Sequence, residues 1–153
     1  MPVVLHETGA TQVAADLGHF AERARDARPA MRKVRSIMES GYKRNFETGG
    51  AYLGDSWAAL APGTLARKAR KDQDNRVLRA TGALEASLSG GRGRRGGATR
   101  TQARAGTSVW YAIFAQAGTK TAPRRRLVGM TKRDVLKSVR TIEKYILTGE
   151  IFP

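Results

Sequence analysis

The sequence has no cysteine among its 153 residues. This absence excludes disulfides, thiolate nucleophiles and most structural zinc sites. The chain also has no run of eighteen apolar residues, so we expect no transmembrane helix and no membrane partner. Its N-terminus lacks a basic segment followed by a long apolar one, which is the pattern of a signal peptide. Together these absences favour a protein that is made and assembled in a cytoplasm.

Acidic residues are scarce in the second part of the chain. The formal net charge is +15. Residues 1–60 have eight Lys/Arg and seven Asp/Glu, whereas residues 61–153 have twenty Lys/Arg and six Asp/Glu. A local excess of this size attracts polyanions such as nucleic acid, an anionic membrane or an acidic partner protein. The alternative is that the charge mainly keeps a small protein in solution.

Histidines and carboxylates are too few and too scattered to suggest catalysis. Neither histidine, His6 or His19, stands in a set of metal ligands, and a solvent-facing histidine is the more common case. Asp72 and Asp74 alternate as calcium ligands do, but the glycine and the distal glutamate of an EF-hand are missing. Residues 91–96 match the dinucleotide-binding glycine spacing without the strand and helix that this motif needs. We therefore predict no enzyme activity, no metal and no cofactor.

Length and periodicity predict a single domain, residues 1–153, with helices at both ends. Apolar or small residues recur every three or four positions from Val13 to Met38 and predict helix over residues 10–47. Pro29 interrupts this pattern and predicts either two helices or one kinked helix, and the unbroken register favours the kink. The heptad spacing is compatible with a coiled coil, but small residues in the stripe favour packing on the domain's own sheet.

The rest of the chain divides by composition. Residues 48–88 predict irregular structure with short helices. Residues 107–130 predict core strands and a basic loop, and residues 131–148 open with a capping-box pattern and predict a C-terminal helix. The predicted fold class is α+β, with a long N-terminal helical region and a C-terminal helix packed on a small antiparallel sheet.

An Arg/Gly-rich arm fills residues 89–106. It has no acidic and no large apolar residue, so it predicts a mobile loop or a hairpin that projects from the domain. Arginines of this arm and of the basic loop are candidate contacts to DNA or to an acidic partner: Arg92, Arg94, Arg95, Arg100, Arg104, Arg124, Arg125 and Arg126. A solvated arm without a fixed partner is the alternative.

Two tryptophans, Trp57 and Trp110, have the ring size to stack on nucleic-acid bases. Each is surrounded in sequence by apolar residues. We therefore predict that both are buried anchors of the core.

Three motifs in a fixed order resemble a known family. Residues 46–68 have a W-x-x-L turn followed by T-x-x-x-K, residues 78–87 have L-x-x-T-G-x-L-x-x-S, and residues 111–118 have Y-A and then Q-x-G. This order resembles the phage virion morphogenesis family, which includes the Mu-like and P2-like tail completion proteins, over residues 10–147. On that resemblance the framework positions are Trp57, Leu60, Thr64, Lys68, Leu78, Thr81, Gly82, Leu84, Ser87, Tyr111, Ala112, Gln116 and Gly118.

The chain departs from the family pattern at two positions. Ala115 stands where the family has a histidine before the glutamine. Leu127 stands where an aromatic residue is usual after the arginine. These departures affect local contacts and leave the implied fold unchanged.

The resemblance implies a non-enzymatic structural component of a tailed-phage virion, at the neck or tail. Such a protein completes or terminates the tail, or joins it to the head. The implied partners are further copies of itself in a ring, often a hexamer, and other neck, connector or tail tube proteins. The positive charge of the second part adds genomic DNA, contacted without sequence specificity, as an expected partner. The alternatives are a non-specific nucleic-acid-binding protein that uses the arm, and an assembly chaperone that leaves before the virion is complete.

Overall fold

The computed structural model describes residues 8–151, so His6 lies outside the described residues. The elements in chain order are α1 (Thr8–Arg25), α2 (Arg28–Glu47), α3 (Pro62–Arg70), α4 (Ala83–Leu88), β1 (Arg94–Arg95), β2 (Gly106–Thr107), α5 (Ala112–Ala117) and α6 (Lys132–Thr148). A short 3-10 helix, Ala51–Leu53, follows α2. The predicted α+β class is confirmed, with long helices at both ends and a small antiparallel sheet.

The N-terminal helical region is interrupted between α1 and α2, at Asp26 and Ala27. Pro29 lies in the first turn of α2, where its missing amide proton removes no helical hydrogen bond. The Asp26 carboxylate accepts a hydrogen bond from the amide of Arg28 at 3.2 Å. The N-terminal region is therefore two helices rather than the single kinked helix that the register favoured, because Pro29 starts a new helix.

The core lies between the C-terminal half of α2, α4 and the irregular segments. Its main cluster of buried side chains is Tyr42, Phe46, Trp57, Leu84, Leu88 and Leu127. The rings of Phe46 and Trp57 meet edge to face with 5.1 Å between centroids, and the indole N–H of Trp57 donates to the Arg126 carbonyl at 3.2 Å. The prediction that Trp57 is a buried anchor is confirmed.

α6 packs on α2 through polar and small residues. Asp134, Ser138 and Thr141 are its buried residues. The hydroxyls of Ser138 and Thr141 donate to carbonyls one turn earlier in α6, each at 2.8 Å, so burial leaves neither hydroxyl unsatisfied. Gly41 of α2 leaves room for the Asp134 carboxylate. The face of α6 that meets the domain is therefore not its apolar face.

The Arg/Gly-rich arm is a hairpin. Arg94 pairs with Thr107 and Arg95 with Gly106 in antiparallel register, and an isolated bridge joins Ala98 to Ala103 nearer the tip. Gly96 has a φ of +96°, and a side chain there would collide with the Arg104 backbone on the opposite strand. The hairpin version of the prediction is confirmed.

This hairpin lies along the domain. The Gly91 amide donates to the Ala86 carbonyl at 2.7 Å, and near the tip the Arg100 carbonyl accepts from the Ala27 amide at 3.0 Å. The arm therefore reaches from α4 to the start of α2, and the prediction that it projects from the domain is wrong.

Residues 107–130 do not form the core strands that we expected. Apart from Thr107 in β2, the apolar part of this range forms the short helix α5. An apolar run without alternation fits a helix as well as a strand, so the sequence pattern was ambiguous here. Gly118 ends α5 with a φ of +79°, where a side chain would come within 2.9 Å of the Arg124 amide.

Candidate functional site

The hairpin arginines are Arg92, Arg94, Arg95, Arg100 and Arg104, and all five are exposed. Arg94 and Arg95 are consecutive strand residues, so their side chains point to opposite faces of the hairpin. The hairpin thus presents positive charge on both of its faces.

One face of the hairpin forms a basic cleft with α2. Arg94 and Ala98 line it from the hairpin, and Arg32, Arg35, Ser36 and Glu39 line it from α2. Glu39 already pairs with Arg35, with 2.9 Å between Oε1 and Nε. Arg32 and Arg94 are therefore the cations in excess, and this cleft suits a phosphate oxygen or a carboxylate. Arg32 was not among our candidates, because nothing in the linear pattern relates α2 to the arm.

Two hairpin arginines have partners of their own. The Nε of Arg100 lies 3.9 Å from the Asp26 carboxylate, a weak exposed ion pair at the hairpin tip. The guanidinium of Arg104 donates to the side-chain oxygen of Gln102 at 2.8 Å. Both side chains remain accessible, and neither contact neutralises the arm.

The second predicted group, Arg124 to Arg126, does not act as a unit. Arg124 is exposed, whereas Arg125 is 9% exposed and donates to the Ala58 carbonyl at 3.3 Å. Burial lowers the pKa of the Arg125 guanidinium. Arg126 is half-buried and donates to the Leu53 carbonyl at 3.4 Å. The prediction that Arg125 is a surface contact is therefore wrong, because its side chain is buried and bonds to the segment around Ala58.

The first framework motif surrounds a buried lysine. Lys68 is 6% exposed, and its ammonium group donates to the Arg76 carbonyl at 2.7 Å and to the Asp74 carbonyl. Leu60 and Thr64 are half-buried, and Leu60 lines a pocket together with Trp57. The motif therefore ties α3 to the polar turn that follows it and gives this lysine a structural position.

The second framework motif starts α4. Leu78 has a φ of +60° and Gly82 one of +73°, and the Thr81 hydroxyl accepts from the Ala83 amide at 3.4 Å. These two left-handed residues turn the chain so that α4 points its buried side at the core. Leu84 is fully buried there.

Ser87 of α4 links the second motif to the hairpin. It is 1% exposed, its hydroxyl donates to the Leu84 carbonyl at 2.8 Å, and it lies 2.5 Å from the hydroxyl of Thr107 on β2. A buried serine therefore fixes the returning hairpin strand to α4.

The third framework motif is α5 and its end. The side-chain oxygen of Gln116 accepts from the amides of Leu127 and Val128 at 2.7 and 3.3 Å. Ala112 packs against the core cluster, whereas Tyr111 is exposed. Gln116 thus positions the irregular segment that carries buried Leu127. Gly118, directly after α5, lets the backbone around Arg124 pass close to the end of this helix.

The structure exposes an aromatic patch that the sequence did not predict. Its members are Trp110, Tyr111, Ile113 and Phe114, and Trp110 is 76% exposed. The Trp110 ring meets the rings of Tyr111 and Phe114 edge to face, each with 5.9 Å between centroids. The prediction that Trp110 is a buried core anchor is wrong, because α5 packs on the core through Ala112 and Ala115 and has its large residues outside.

Two long helices also leave apolar residues uncovered. Val13 and Leu17 of α1 are exposed, so the prediction that this stripe packs on the domain's own sheet is wrong. On α6 the exposed residues are Val135, Leu136, Val139 and Leu147. The periodicity predicted these helices correctly, but it marks faces that the described residues do not cover.

Two further predictions concern metal sites and membrane spans in the described part of the chain. Across residues 8–151 no three His, Asp or Glu side chains come together so that they could hold a metal ion. His19 is exposed and has the Glu22 carboxylate 4.0 Å from its Nδ1. Over the same residues no helix is both long and apolar enough to cross a membrane.

The comparisons with known proteins give one match. A model of the phage virion morphogenesis family matches residues 9–147, which is most of the chain. Neither a curated protein nor a solved structure matches it.

Proposed function

This chain belongs to the phage virion morphogenesis family, and we propose that it is a non-enzymatic structural component at the neck or tail completion point. It terminates the tail or joins it to the head, as one of several copies in a ring around the DNA channel. Its partners are then its own copies and the neighbouring connector or tail tube proteins.

The observation that supports assembly is the amount of apolar surface left uncovered. A small monomeric domain rarely exposes a contiguous apolar patch above a few hundred Å². This chain exposes an aromatic patch and apolar residues on α1 and α6. Such surfaces are typical of subunits whose partners cover them.

The hairpin arginines support a second role for the same subunit, non-specific contact with the genome. Arg32 and Arg94 give the hairpin cleft two cations that are not neutralised by Glu39. Phosphate contacts of this kind need no base readout. They therefore suit a channel that conducts DNA of any sequence. A stand-alone nucleic-acid-binding protein would use the same arginines.

The experiment that tests the proposal measures the particle mass and symmetry of the purified protein. Light scattering and electron microscopy, with and without DNA, should give a closed ring. A stable monomer at all concentrations that binds DNA with a steep salt dependence would contradict the ring and support the nucleic-acid-binding alternative.

A second measurement separates a resident component from an assembly chaperone. Mass spectrometry of purified phage particles should detect this chain at a fixed number of copies per virion. Its presence in assembly intermediates and loss from finished particles would support the chaperone instead.

A further inference from the structure

The apolar face that Val13 and Leu17 form on α1 is not covered by any residue in the described part of the chain. Residues 9–19 are exposed throughout, and Val13 and Leu17 are 58% and 60% exposed. The helix is held at its other end, where the Arg23 guanidinium donates to the carbonyls of Ile146 and Leu147 at 3.2 and 2.9 Å. A helix segment this short is marginal in water unless its apolar face is covered. The Val13–Leu17 face of α1 is therefore open to a surface that the described residues do not supply.

The aromatic patch is the surface best suited to receive it. Aromatic side chains bury about 150–250 Å² each, so the exposed fractions of Trp110, Tyr111 and Phe114 offer roughly 250–400 Å² before Ile113 is added. Tryptophan and tyrosine are also the residue types that contribute most to interface affinity. The uncovered residues of α6 are a poorer candidate, because they are aliphatic and lie on a helix with five Lys or Arg residues.

Charge favours a contact between these two surfaces. Each copy carries +15, so most approaches between copies bring cations together. Residues 8–22 contain no Lys or Arg, and residues 105–119 contain no charged residue. Exposed Lys120 and Arg124 follow α5, and Asp16 and Glu22 flank the apolar residues of α1. An apolar centre with a rim of opposite charges is the usual arrangement of a specific interface.

The positions of the two surfaces require two different copies. α1 joins the start of α2, whereas Ala112 and Ala115 fix α5 to the core around Phe46, near the end of α2. A 20-residue helix such as α2 is about 30 Å long, and it separates the two attachment points. The contact is therefore head to tail, and head-to-tail contacts form rings when the rotation between copies closes.

We infer that the Val13–Leu17 face of α1 in one copy packs on the aromatic patch of the next copy. This inference rests on the proposed function, in which copies form a ring. The patch alone is smaller than the ~800 Å² that each partner buries in a standard stable interface. A closed ring, in which every copy makes two such contacts, is consequently more stable than an open pair.

The absence of cysteine allows a direct test by site-specific cross-linking. One variant carries Leu17→Cys and a second carries Ile113→Cys. The two purified proteins are mixed and oxidised. Both positions are exposed, so neither change should disturb folding, which circular dichroism checks. The matched control is Ala15→Cys, which lies about 160° around α1 from Leu17 and should lose most of the cross-linking.

The expected result is a covalent dimer from the L17C and I113C mixture, and little from either variant alone. A chain with both changes should give a ladder that stops at the ring number. Dimers from L17C alone, or preferential pairing of L17C with a Val139→Cys variant on α6, would overturn this interface.

Failure of the interface and failure of the ring are separable. If the unmodified chain is a ring by light scattering but L17C and I113C do not pair, this inference is wrong and the proposed function stands. If the unmodified chain is a monomer at every concentration, the ring is wrong as well.

Discussion

Trp57 and Trp110 belong to two regions that use the same residue type in opposite ways. Trp57 is 9% exposed and belongs to a buried cluster formed by α2, α4 and the segment before α6. Its ring packs on Phe46, and its N–H reaches the Arg126 carbonyl. Trp110 is 76% exposed and meets only rings of the same short segment in its aromatic contacts.

The difference lies in how many separate chain segments meet at each ring. Around Trp57, Asn45 is fully buried, donates to the Arg126 carbonyl at 2.8 Å and accepts from the Leu53 amide at 3.3 Å. Polar groups of three segments are thus satisfied within the domain. At the aromatic patch no comparable bonds close over the rings in the described part of the chain. The first region is closed by the fold itself, whereas the aromatic patch stays exposed.

The sharpest test of this comparison is to remove each tryptophan. Trp57→Ala should lower the free energy of unfolding by roughly 3–5 kcal/mol, because it empties a buried site and removes an aromatic contact. Trp110→Ala should change it by less than about 0.5 kcal/mol but reduce the mass of the assembled particle. Urea unfolding and light scattering measure the two effects. Equal losses of stability would contradict the division into two regions.

The next largest effect should come from the polar anchor beneath Trp57. Asn45→Ala leaves the Leu53 amide without its side-chain acceptor, and we expect a loss of about 2–3 kcal/mol. Exposed Asn75→Ala is the matched control and should be neutral. A neutral result for Asn45→Ala in urea unfolding would show that water replaces the amide and that the region is more open than described.

A smaller effect is expected at the start of α6. Burial would raise the pKa of the Asp134 carboxyl, but hydrogen bonds from Thr131 and Tyr52 outweigh it and hold the pKa below its usual value. The carboxylate therefore stabilises the fold above about pH 4, and this contribution is lost as the pH falls through the folded-state pKa.

Asp134→Asn should cost about 1 kcal/mol at neutral pH and flatten the acid limb of the stability profile. Exposed Glu143→Gln on the same helix is the control. Urea unfolding between pH 2 and 7 measures the profile. An unchanged acid limb in Asp134→Asn would assign the acid sensitivity to other carboxylates.

The smallest effect on stability should come from the hairpin. Changing Arg92, Arg94 and Arg95 together to Ala should alter unfolding by less than about 0.5 kcal/mol, because all three are exposed. The same variant should weaken DNA binding and reduce its salt dependence. The charge-matched control changes Arg67, Arg70 and Lys71, also exposed, to Ala. Equal losses of DNA affinity in both variants would indicate that total charge matters and hairpin position does not.

Sequence reasoning predicted the helices better than their environments. The apolar spacing of α1 and α6 and the capping box at Thr131 predicted both helices. The same spacing did not reveal that Asp134, Ser138 and Thr141 would face α2 while Val135 and Val139 stayed exposed. Periodicity identifies a face, but only the neighbouring elements decide whether that face is covered.

The candidate site divides in the same way. The exposure of the hairpin arginines was predicted from an arm without acidic or large apolar residues. The burial of Arg125 was not predicted, because it depends on the Ala58 carbonyl, 67 residues away in the chain. The pairing of Arg94 with Arg32 at one cleft is likewise a long-range arrangement with no local signal.

The sequence by itself determined the family, the helix-rich α+β class and the positive charge of the second part, since order, periodicity and composition are local properties. The tertiary structure decided which apolar residues form the core and which stay open: Trp57 inside, Trp110 and Leu17 outside. The physical reason is that burial is a property of converging segments. A side chain is removed from water only where other parts of a chain, or another copy of it, meet over it.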